Sequence, residues 1–170
     1  MNNFSYLKPT LLNACDQLTR VLDKAKAHVA SGALTEAELM DARLAPDMFP
    51  FVKQVQIATD NIKGGLARIT GGVPPVMADD ETTLDALVAR VQATKTFAES
   101  VDEAALANVT VDRVRLGWMP EGMYYEVVEY ATKYVIQNTL FHVVTAYDIL
   151  RMKGGQIGKS DFIGLAPKQG

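Results

Sequence analysis

The sequence predicts an all-α protein, a four-helix bundle with one short extra helix and a small β-hairpin ahead of the last helix. Apolar residues recur at spacings of three and four in four long windows, the period of a helix that turns one face to a core. Cap and breaker residues bound each window, so the helices are separate. The chain has 170 residues, 48% of them hydrophobic and 22% charged, which is enough for one well-buried core and too little for two. Residues 1–170 are therefore read as one domain, with 154–170 as a C-terminal tail.

The first helix is marked by Leu7, Leu11, Ala14, Leu18, Val21, Leu22, Ala25 and Val29. Pro9 falls in its first turn, where a missing amide hydrogen costs little, and Ser31-Gly32 stops it. Thr35 with Glu38 has the form of a capping box and opens a short helix that ends near Arg43, before Pro46. Asp47 is the expected cap of the next long helix, whose inner face reads Phe51, Val52, Val55, Ala58, Thr59, Ile62, Leu66 and Ile69. Gly71-Gly72 ends it, and Gly64-Gly65 inside it implies close helix packing. A loop rich in proline and acids follows. Thr82 or Thr83 then caps a helix carrying Leu84, Leu87, Val88, Val91, Phe97 and Val101, ending near Asp102. Alternation from Val109 to Leu116 suggests the hairpin. The final helix runs from beyond Gly122 to Met152 or Lys153 and is closed by Gly154-Gly155.

Several functional classes are disfavoured at once. A net charge of −3 lacks the basic footprint that nucleic acid or an anionic membrane needs. The first six residues do not read as a secretory signal, and no apolar run approaches the roughly 18 residues of a membrane span. A cytoplasmic location is the expectation. The single cysteine, Cys15, lies on the apolar stripe of the first helix and reads as a small buried hydrophobe. Glycine-rich phosphate loops, nucleophile elbows and paired histidines are absent from the sequence, so enzymatic activity is not indicated.

Chemistry concentrates on the last helix. On a wheel of 100° per residue, Tyr124, Val127, Ala131, Tyr134, Val135, Thr145, Ile149 and Met152 fall within about 60° of Asn138, and His142 lies one turn on. A buried neutral histidine must place both ring nitrogens, and Asn138, Tyr134 and Thr145 are the expected partners. His28, late in the first helix, reads as a surface residue near a helix C-terminus. Gln54 and Gln56 lie about 100° to either side of Val55 and read as half-exposed flank residues, either able to reach the interior.

The stretches Arg43-Leu44-Ala45-Pro46-Asp47-Met48-Phe49-Pro50-Phe51, Gln54 to Asp60, Phe141 to Arg151 and Gly158 to Phe162 resemble an uncharacterised bacterial and fungal family. That family is distantly similar to the DinB/YfiT-like metalloenzyme superfamily. The resemblance covers nearly the whole chain and implies a DinB-like four-helix bundle. It also implies a divalent metal held by one histidine on the second long helix and a His-x-x-x-His pair on the last, used by some members to transfer thiols to small molecules. Here the pair maps to Asn138 and His142, and the remaining ligand to Gln54, with Gln56 as the other candidate. Amides replace two of three imidazoles, and amide oxygens are weak ligands for zinc or nickel. No cofactor is therefore expected; if a zinc or nickel ion did bind, its ligands would be His142, Asn138 and Gln54. Gln137 stands where that family tends to have proline, which implies a straighter helix.

The expected function is that of a binding or structural protein with a degenerate metal site. The alternatives are a metal-dependent thiol transferase and a small-molecule carrier whose pocket Met48, Trp118, Tyr124 and Tyr134 would line. Asp60, Asp148 and Asp161 remain as alternate ligands. A second apolar stripe on the last helix, Ile136, Leu140, Val143, Tyr147 and Leu150, predicts a homodimer unless the tail, with Ile157, Phe162, Ile163 and Leu165, covers it.

Overall fold

The computed structural model describes residues 2–164. Eleven elements follow one another: α1 (Leu7–Ala30), α2 (Glu36–Met40), α3 (Phe51–Ile69), α4 (Leu84–Ser100), α5 (Glu103–Ala107), β1 (Arg113–Val114), β2 (Tyr125–Glu126), α6 (Val127–Glu129), a π-helical stretch (Tyr130–Ile136), α7 (Gln137–Met152) and α8 (Lys159–Ile163). The four long helices form the bundle expected from the periodicity. α1 and α3 sit on a diagonal, each packed between α4 and α7. Two seams between helices, α3 with α7 and α3 with α4, hold the buried polar chemistry.

Local chemistry sets most of the boundaries. The Thr35–Glu38 capping box is formed in both directions, although α2 ends at Met40, short of Arg43. Thr83 caps α4 by accepting from the Ala86 amide at 3.2 Å. Glu36 Oε1 accepts from the Leu84 amide at 2.7 Å, joining the start of α2 to that of α4. Asp47 does not cap α3: the N-cap is Pro50, without a side-chain bond. The backbone of the preceding loop does this work instead, with Phe51 N donating to Ala42 O at 2.9 Å. Gly154, at φ +90°, closes α7, with Gly155 N bonded to Leu150 O.

Three segments depart from the expectation. α5 was not anticipated; it is a single turn capped by Asp102, too short to show a period. Val109–Leu116 contributes one strand, and β1 pairs antiparallel with β2, in the register Arg113 with Glu126 and Val114 with Tyr125. The hairpin therefore spans the Trp118 loop rather than lying within 109–116. The last helix is interrupted by the π-helical stretch, which ends just before Gln137. Pairing i to i+5 adds about one residue per turn, and a 100° wheel loses phase across Tyr130–Ile136. Tyr124 lies before β2, outside the helix, and is exposed, and Asn138, in the first turn of α7, is half-buried rather than interior.

The second stripe of the last helix is largely covered within the chain. Val143 and Leu150 are fully buried, because a bundle helix meets two neighbours, here α3 and α1, and not one. Tyr147 packs edge-on against Phe162 of α8, with ring centroids 5.6 Å apart, and Ile157 is buried. Leu165 lies outside the described residues. The apolar residues that stay exposed on α7 are instead Phe141, Val144 and Met152, while Ile136 and Leu140 of the stripe are half-buried.

Candidate functional site

Gln54 sits in the first turn of α3 and His142 in the second turn of α7, and the two meet across the seam between these helices. His142 Nδ1 and Gln54 Oε1 are 2.6 Å apart, and the glutamine amide nitrogen donates to Phe49 O at 2.8 Å. This second bond fixes the first. A carbonyl only accepts, so the amide nitrogen must face Phe49 and the amide oxygen must face the ring. Since that oxygen also only accepts, Nδ1 carries the proton and Nε2 keeps its lone pair.

Both partners are inside. Gln54 is 1% exposed and His142 7%, so Gln54 is no half-exposed flank residue. Burial lowers the imidazole pKa to about 4, and the ring is neutral around pH 7. Among the described residues the sealed polar side-chain atoms without a partner are Gln17 Oε1, Gln56 Oε1, Asn61 Nδ2 and Thr139 Oγ1. His142 Nε2 is not one of them, and no group among the described residues bonds to it.

An open groove of about 820 Å³ runs along α7, with Leu44, Met48, Tyr134, Asn138, Phe141, Val144 and Thr145 in its lining, which includes neither His142 nor Gln54. The residues one position before, three after and four before His142, namely Phe141, Thr145 and Asn138, all belong to that lining. Phe141 also meets the imidazole edge-on, at 5.2 Å between centroids. Of the predicted site residues, Asn138, Tyr134 and Thr145 thus reach the groove, yet none is the histidine's partner. The Thr145 hydroxyl donates to Phe141 O at 2.7 Å, and Tyr134 stacks with Tyr130 at 5.4 Å. Met48 lines the groove, whereas Trp118, hydrogen-bonded to Tyr134, and Tyr124 are exposed outside its lining.

Gln56 belongs to a different site. It is 1% exposed and donates through Nε2 to Glu81 at 2.6 Å, on the seam of α3 with α4. There the sequence reading missed Arg90, whose guanidinium is almost wholly buried. It donates to Thr59 Oγ1, Ala78 O, Glu81 Oε1 and Asp60 Oδ1 at 2.6–2.9 Å, and Asp79 Oδ1 is 3.1 Å away. Burial opposes its charge, but Glu81, Asp60 and Asp79 outweigh that and raise its pKa. The signal was legible: Arg90 shares the inner face of α4 with Leu87, Val91 and Thr94, downstream of the acidic run Asp79-Asp80-Glu81.

The residues implied as metal ligands do not fit that role. Gln54 has its oxygen committed to Nδ1, Gln56 faces Glu81, and Asn138 offers one weak amide, leaving a single imidazole nitrogen where zinc or nickel sites use three or four strong donors. Asp60 is engaged by Arg90 and Lys63, and Asp161 accepts from Gly158 N and pairs with Lys24. Asp148 borders the groove apart from both. No group of three or more histidine, cysteine or acidic side chains is placed to hold a metal among the described residues. Cys15 is buried, its thiol pushed up to about 12 by burial and by Asp16. His28 Nε2 lies 3.0 Å from Lys153 O and ties the end of α1 to that of α7. Among the described residues no helix is long and apolar enough to cross a membrane.

The four-helix arrangement is that of a DinB-like bundle. A solved structure described as a DinB family member protein from Shewanella denitrificans matches it with a TM-score of 0.83 and 34% identity, over 99% of this chain and 93% of that one. Residues 4–163 match the model of a domain of unknown function, DUF1993, and the chain belongs to that family. No curated protein matches it.

Proposed function

We propose that this protein is a binding protein in which the position of a metal site is held by a hydrogen-bonded glutamine and histidine. The observation that carries the reading is the Gln54–His142 bond at 2.6 Å. It uses the Gln54 amide oxygen and the His142 imidazole to orient a ring instead of leaving both groups free for an ion. The open groove along α7 supplies room for a small molecule, with apolar residues and a few polar groups in its lining, the usual make-up of a ligand site. Metal-dependent thiol transfer would need anionic or multiple imidazole donors that this seam lacks.

Metal analysis of protein purified without chelator tests the reading. Zinc, nickel and iron are expected well below one equivalent. Close to one equivalent of any of them, lost in His142→Ala, would overturn it in favour of the transferase.

A further inference from the structure

One face of α7 has no helix of the bundle packed on it. Gln137, Phe141, Val144 and Asp148 follow one another at spacings of four, three and four, so they share a direction on this helix, and all four line the open groove. Phe141 is 55% and Val144 41% exposed, with half-buried Leu140 beside them. The stripe expected to carry a dimer is a different one: Val143 and Leu150 are inside the bundle, and Tyr147 packs on Phe162. Charge along the exposed face follows a rule. Lys133 and Asp148 are the charged residues of the lining, and they lie equally far along the chain from the step between Leu140 and Phe141. Lys133 meets Glu129 at 2.6 Å in a pair whose members are both largely exposed. Asp148 takes part in no ion pair among the described residues.

A two-fold axis through that step exchanges the two charges. Two copies of α7 laid antiparallel about it set Lys133 of each opposite Asp148 of the other, Gln137 opposite Val144, and Leu140 opposite Phe141. Such self-complementarity is what an isologous contact requires, and a foreign partner would impose no relation between positions 133 and 148. We infer that this face of α7 is the contact surface of a homodimer, with two copies paired antiparallel about the Leu140–Phe141 step. Apolar side chains meet at its centre and a Lys133–Asp148 ion pair closes each end. Removing Phe141 and Val144 from water drives the association, and the charges fix its register. The inference goes beyond the reading of Gln54 and His142 and does not rest on it, since neither residue lines this face. A small molecule held in the groove then lies between two copies instead of on an open surface.

Sedimentation of the full chain across the micromolar range tests it, and the parent protein is expected to dissociate from dimer to monomer on dilution. Phe141→Glu sets a carboxylate beside the two-fold axis and should leave a monomer whose helix content, read by circular dichroism, matches the parent's. Val144→Lys should do the same, and it stands in if the first variant fails to fold. The register is tested by charge. Lys133→Glu and Asp148→Lys should each weaken the dimer about fivefold, because each sets like charges together at both ends of the contact. The double variant exchanges the two charges and should regain the parent's dissociation constant. A parent that stays monomeric at the highest concentration would overturn the inference, whether a small molecule or the chain's own tail occupies the groove. So would a dimer undisturbed by Phe141→Glu and Val144→Lys, which would place the contact on another face, or a double variant no tighter than either single one.

Discussion

Gln54 Oε1 and His142 Nδ1 stand 2.6 Å apart across the seam between α3 and α7, and the Phe49 carbonyl behind Gln54 decides which of them donates. One backbone oxygen thereby sets the tautomer of a buried ring 93 residues further along the chain. Replacing Gln54 by leucine keeps the volume but strands the Nδ1 proton. Such a buried, unpaired donor costs about 1–3 kcal/mol, and the midpoint of urea unfolding should fall accordingly.

Stability should depend on pH through the same ring. The folded-state pKa of His142, lowered to about 4 by burial, lies below the ordinary 6.5, so the unfolded chain takes up a proton first as pH falls. The contribution of the neutral ring is complete above pH 6.5 and is lost progressively towards pH 4, amounting to roughly 3 kcal/mol at the acid end. Unfolding measured across that window should show the slope in the parent protein, and His142→Phe should flatten it.

A carboxylate in place of the amide should reverse the trend. Gln54→Glu sets an anion against Nδ1, and an adjacent opposite charge favours the protonated ring. An NMR titration is expected to place the His142 pKa above 6.5 in this variant. A value that stays near 4 would show that residue 54 does not govern the ring.

The helices, the capping box, the Thr83 cap and the burial of Cys15 were legible because each is a local pattern: apolar period, cap spacing, a residue on a stripe. The pairing of Gln54 with His142 was not, because position 54 lies on the border of its stripe and the loop carbonyl that orients it comes from a segment without a period. The resemblance brought Gln54 and His142 to one place; it did not say that they would bond to each other. Asn138 was misplaced for a different reason: a wheel gives direction and not depth, and Asn138, which shares its direction with Thr145 and Ile149, stands at the start of α7 in the wall of an open groove.

That stretch packs on a glycine of α3. A Cβ added at Gly65 would come within 2.9 Å of Val135 Cγ2, as the close packing inferred from Gly64-Gly65 requires. At Gly64 the added atom meets only the flexible Arg68 guanidinium. Gly65→Ala should therefore destabilise by about 1–3 kcal/mol through overpacking. Gly64→Ala should do little, and thermal melts of the two variants would tell them apart.

Arg90 holds the loop before α4 against α3. Arg90→Met removes the shared partner of Asp60, Asp79 and Glu81. Asp60 and Asp79 stay partly solvated, so the cost should sit at the low end for a broken buried pair, about 3 kcal/mol. Limited proteolysis should cut first in the segment 72–82, freed from its anchor.

The central claim, a histidine whose proton is fixed by glutamine and whose open nitrogen holds no metal, is tested most directly by the ring nitrogen spectrum of His142. It should be recorded at pH 7 on freshly purified protein, before and after treatment with chelator. The account predicts a protonated Nδ1 and an unprotonated Nε2 in both spectra, with no change between them. A protonated Nε2, or a resonance that moves when chelator is added, would contradict it.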